Sequence, residues 1–202
     1  MAMQLNFSNI LQFSASIAPI LLASFLVLIS IFNSDIKGLV YLGGVLIASL
    51  INLIIMNTFK IKSKFPPNPA CNLIEFPFNL NEYVSPAFNS MFLAFTMTYL
   101  ILPMKYISTM NYPMTLFMIS LIIMDSTTKM MWKCTTISGI LFGLLLGIML
   151  GTAYFALIYN THKDLLFFNM DPTNNVVCSR PKKQSFVCKV YKGGELIGTT
   201  TK

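Results

Sequence analysis

The chain has 202 residues, of which 55% are hydrophobic and only 10% charged, and its mean hydropathy is +0.68. A water-soluble domain carries about 25% charged residues, so the polar groups here are too few to cover a surface facing water, and the composition predicts a multi-pass membrane protein. The net charge of +7 comes from thirteen lysines and Arg180, scattered among loops and not gathered in one stripe, which excludes a nucleic-acid groove.

Residues 1–14 mix polar and apolar side chains without any charge, so the basic start of a signal peptide is not expected. A first span is predicted from Ile17 to Phe32, closed by the turn Asn33-Ser34-Asp35, and a second from Ile36 to Met56. Lys60 to Phe92 is the one long polar passage before residue 160, with Pro66-Pro67-Asn68-Pro69 inside it. A third span should follow Pro86 and end near Met104, at Pro103 and Lys105.

The fourth span opens at Tyr112-Pro113, where proline suits a first helical turn. A bilayer core asks for about 20 helical residues, so this span should run through Asp125 to Trp132. Asp125 and Lys129, four apart, would then share one face as an intramembrane ion pair; the alternative is an early helix end with both charges in water.

The fifth span, Thr136 to Tyr159, carries Gly139, Gly143, Gly147 and Gly151 on one face. Small residues at this spacing allow close helix approach, so the ladder is a packing seam inside the bundle or, as a second use, a face for homo-oligomer formation.

The expected fold is an all-α multi-pass transmembrane bundle of about five spans over residues 1–159, followed by an extramembrane tail, 160–202, with a β-hairpin. The hairpin is read from alternating apolar residues around Gly193-Gly194. Its register pairs Lys192 with Glu195 and Val190 with Ile197. Two strands alone are marginal in water, so Phe186, Val190, Tyr191, Leu196 and Ile197 are candidates for binding a partner.

The four cysteines fit neither zinc spacing nor a CxxC motif. Cys178 and Cys188 are placed for a bridge in an oxidising compartment and are free thiols otherwise. Five spans put the loops after Lys60 and Lys129 on one side. Their lysines, Lys60, Lys62, Lys64, Lys129 and Lys133, outnumber Lys37 and Lys105 opposite, which assigns that side to the cytosol. The same lysines suit either topology or anionic headgroups.

The order of parts resembles the type 2 phosphatidic acid phosphatases over residues 36–155. Lysines leave the second span, a proline cluster follows, Ser85-Pro86-Ala87-Phe88-Asn89-Ser90-Met91-Phe92 opens the third, and the glycine ladder closes the core. The resemblance implies a helical membrane core with phosphotransfer chemistry on two histidines, a lysine and arginines. Asn89 stands at the first histidine position, and the family's spacing back from Gly139 places the nucleophile at Met131, its aspartate partner at Thr135 and an arginine at Asp125. No arginine precedes Arg180, and the one histidine is His162, beyond the last span.

Asparagine does not shuttle protons near neutral pH, and methionine forms no phosphoenzyme. No metal or cofactor motif is present. The chain therefore reads as a non-catalytic structural membrane protein, similar in style to the integral membrane proteins of large DNA viruses. Its expected partners are membrane lipid and membrane or capsid-layer proteins met through the tail, and its expected location a membrane such as a virion internal membrane. The rival readings are a lipid phosphatase with unconventional residues and a small channel lined by Asp125 and Lys129.

Overall fold

The computed structural model of the chain describes residues 7–62, 71, 83, 85–168, 187–192 and 195–201. Five helices run in order: α1 (Phe7–Phe32), α2 (Lys37–Phe59), α3 (Phe88–Tyr106), α4 (Tyr112–Met131) and α5 (Ile137–Thr161), with a 3-10 turn at Lys163–Leu165. Residues 1–169 and 170–202 form two compact units.

Four helices, α1, α2, α4 and α5, are long and apolar enough to cross a membrane. Of the about five spans expected, α3 is not among these four. Ser90, Met91, Phe92, Leu93, Ala94, Phe95 and Thr96 are all buried, in unbroken succession. Successive helical residues point about 100° apart, so a run of that length leaves no face of α3 open. Enclosure explains why this helix tolerates polar residues. Thr96 and Thr98 return their hydroxyls to the carbonyls of Phe92 and Ala94, at 2.9 and 2.8 Å.

The other helices wear apolar side chains outward. Leu21, Leu116 and Met149 are 62%, 69% and 69% exposed, as a lipid-facing surface requires. The core gathers Met91, Phe95, Tyr99 and Leu100 of α3 with Tyr41 and Val45 of α2 and Phe155 of α5. Tyr99 lies 5.8 Å, ring to ring, from both Tyr41 and Tyr154. Tyr41 shares a 2.8 Å hydrogen bond with Thr96, and Tyr154 donates to the Val40 carbonyl at 2.7 Å. A smaller apolar contact, Leu22, Leu93 and Met118, joins α1 and α4 to the opposite side of α3.

Local sequence sets the boundaries. α1 begins at Phe7, well before Ile17, because Gln12, Ala15, Ala18, Leu22 and Leu26 recur every three or four residues on its buried face. The α1–α2 corner is tied by Ser30, whose hydroxyl accepts from the Gly38 amide at 2.8 Å and donates to the Asp35 carboxylate. Gly38 is required there, since a Cβ would lie 2.6 Å from the Ser30 Cβ.

Pro103 does not end α3; it sits in the last turn, and the helix closes at Tyr106. Asn111 caps α4 by accepting from the Met114 amide at 3.2 Å, with proline just inside. Thr136 caps α5 through the Gly139 amide at 3.3 Å.

Val187–Lys192 (β1) and Glu195–Thr201 (β2) are strands paired antiparallel. Lys192 pairs with Glu195 and Tyr191 with Leu196, but Val190 pairs with Gly198. The expected Val190–Ile197 pair is thus not made: the ladder shifts between Val190 and Tyr191 and leaves Ile197 as the extra residue of a bulge.

Candidate functional site: the polar end of the bundle

The ends of α2 and α4 and the starts of α3 and α5 meet at one end of the first unit, where the polar groups collect. α5 is brought there by its glycines. A Cβ at Gly143 would lie 2.6 Å from the Ala87 carbonyl oxygen and one at Gly151 2.9 Å from that of Phe95, while one at Gly147 would run into the Met91 carbonyl. The ladder therefore packs against the backbone of α3, one turn after another. Its first member, Gly139, is buried, and its carbonyl accepts from the Ala87 amide at 3.0 Å, which fixes the start of α3 against the start of α5.

That placement aims Asn89 and Ser90 at α4. Asp125 is only 1% exposed, and three side chains converge on it. The Ser90 hydroxyl donates to Oδ2 at 3.0 Å, the Asn89 amide to Oδ1 at 3.4 Å, and the Lys129 ammonium lies 3.0 Å from Oδ2. Of the two sequence readings, an early helix end is the one that fails: α4 continues to Met131 and carries Asp125 about 9 Å short of its end, six residues at 1.5 Å each. Thr128, also buried, returns its hydroxyl to the Met124 carbonyl at 2.6 Å.

Buried charge is tolerated only when paired and hydrogen-bonded, and this carboxylate is both. Its oxygens are taken up inside the bundle, so the arrangement holds helices α3 and α4 together.

The positions singled out by the phosphatase resemblance separate. Asn89 and Asp125 meet, as above. Met131 is 69% exposed and Thr135 is buried at 6%. Lys60, with φ of 47°, forms the left-handed cap of α2 and is exposed. His162 caps α5 at the other end of the bundle. Among the described residues, no three His, Cys, Asp or Glu side chains come together as metal ligands.

One feature escaped the sequence reading. Cys71 and Cys134 form a disulfide across 63 positions, with Cα atoms 5.4 Å apart. It ties the connection between α2 and α3 to the turn between α4 and α5. The signal lay in the five-span topology, which puts both cysteines on one side. An antiparallel bridge between Lys62 and Tyr83 closes the same connection. Cys178 and Phe186 lie outside the described residues; Cys188, Val190 and Tyr191 fall in β1 and Leu196 and Ile197 in β2.

No protein-family model, curated protein or solved structure matches this chain.

Proposed function

We propose that the chain is a non-catalytic, multi-pass membrane protein with a structural role: its helices anchor it in a bilayer and its tail, 160–202, ties that bilayer to a protein layer. The observation that carries the reading is the closed state of the polar cluster. Asp125 is 1% exposed with its oxygens engaged by Ser90, Asn89 and Lys129, at the position where a phosphotransfer site needs an open, cationic pocket. The degenerate phosphatase-like frame then survives as architecture, with α5 on α3 as its seam. The tail supports the second half of the reading, because its residues 170–202 form a compact unit of their own and contain two strands. A capsid shell lying over an internal membrane is the layer that suits such an anchor.

Two measurements test this. Deleting residues 182–202 should leave the chain in alkali-washed membranes while those membranes no longer recruit the layer protein that they hold with the full chain; unchanged recruitment would refute the linking role. Vesicles containing phosphatidic acid should release no phosphate when the purified chain is added. Turnover that is lost on Asn89→Ala or Lys60→Ala would replace the structural reading with the enzymatic one.

A further inference from the structure

The Cys71–Cys134 bridge bears on a question that the lysines leave nearly balanced, namely which side of the membrane each end of the bundle faces. Cys71 follows α2 and Cys134 follows α4, so the bridge lies at the end where Lys60, Lys62, Lys129 and Lys133 also lie, with Lys64 in the same connection by sequence. Disulfides form and persist in oxidising compartments and are reduced in the cytosol. Assigning the lysine-bearing end to the cytosol, as the short connections alone suggest, would put this bridge where thiols are kept reduced.

We infer that the end carrying Cys71–Cys134 faces an oxidising, non-cytosolic compartment, and that the chain leaves α5 on the cytosolic side, where the tail meets its partner. The inference rests on the membrane reading of α1, α2, α4 and α5, with the enclosed α3 running back between α2 and α4, and on no property of the partner.

Charge is compatible with this orientation once the tail is counted. Beyond Thr161 the sequence has no further apolar stretch of span length, so 162–202 remain on the side where α5 ends. That side then holds Lys37, Lys105, Lys163 and six basic residues from Arg180 to Lys202, nine against five. The positive-inside bias is carried by short loops and segments near helix ends. Only part of the tail lies that near, so charge decides little and the bridge decides the side. A second consequence follows: Cys178 and Cys188 stand in the reducing compartment and stay thiols, which removes the option of a bridge between them. The tail is basic in sequence, with Glu195 the one acid after Asp171, so an acidic face on the cytosolic layer is the complement.

The experiment is glycan mapping of the full chain in oxidising microsomes, in a background of Asn6→Gln that removes the acceptor triplet Asn6-Phe7-Ser8. Ile74→Thr creates a triplet at Asn72 in the bridged connection, and Val176→Thr creates one at Asn174 in the tail. The expected result is a glycan on the Ile74→Thr chain and none on the Val176→Thr chain. The reverse pattern overturns the orientation. Alkylation after non-reducing denaturation gives the companion readout: Cys178 and Cys188 should be modified, and Cys71 and Cys134 only after reduction. Free thiols at Cys71 and Cys134, or a Cys178–Cys188 bridge, overturn it. Loss of the chain to alkaline carbonate would instead refute the membrane reading beneath it, so the two failures are distinct.

Discussion

At the scale of single residues, Asp125 is a buried side chain held from three directions. It keeps its place through one ammonium, one hydroxyl and one amide, with Lys129 itself partly open to its surroundings at 18%. Removing one partner of a buried ion pair leaves the other without compensation. Lys129→Met should therefore lower stability by about 1–3 kcal/mol, and Asp125→Asn by less, because the amide still meets Ser90. The two changes together should cost less than their sum, a coupling that thermal midpoints of the four proteins in detergent would measure. Strict additivity would show that the pair contributes nothing. The residue pair was readable from its spacing of four, but its partners were not. Asn89 and Ser90 lie 36 and 35 positions away from Asp125, and no local pattern connects them.

At the scale of elements, the seam between α3 and α5 organises the fold. An added methyl at Gly147 meets the Met91 carbonyl and lies 2.8 Å from the Ala94 Cβ. Neither backbone can yield without the helices parting. Gly43, by contrast, has only the Tyr154 hydroxyl within 4 Å, at 3.8 Å. Gly147→Ala should cost about 1–3 kcal/mol, whereas Gly43→Ala should stay within about 0.5 kcal/mol; equal losses in a thermal unfolding series would contradict the seam.

Helix existence and most ends were legible because hydropathy and caps are local signals: Asn111 with Pro113, and Thr136 before the glycine ladder. The start of α1 was not, since Gln12 and Ser14 look like a polar lead-in until the packed face of Gln12 and Ala15 is seen. Nor was the enclosure of α3, which depends on which neighbours surround it. The bulge at Ile197 escaped as well, because alternation fixes a strand pattern but not where a ladder slips by one residue.

At the scale of the whole molecule, the Cys71–Cys134 bridge closes a loop that contains α3 and α4. Chain-entropy reasoning gives up to about 4 kcal/mol for a loop of 63 positions, and less in a bundle whose helix ends are already held in a membrane plane. Cys134→Ser should lower the thermal midpoint, dithiothreitol should bring the parent chain down to the same value, and the variant should not respond to it. A parent chain indifferent to reductant would mean that the bridge is not formed.

The enclosure of α3 has a consequence for how the protein is made. Its seam partner, α5, is the last α-helix among the described residues to leave the ribosome. Until then Thr98 and the α3 backbone from Ala87 to Phe95, which Gly143, Gly147 and Gly151 cover, have no helix on that side. A helix of this kind does not settle among acyl chains by itself. The α3–α5 seam should therefore close only once α5 is made, and a chain truncated before Thr136 should expose the α3 face that the glycines cover.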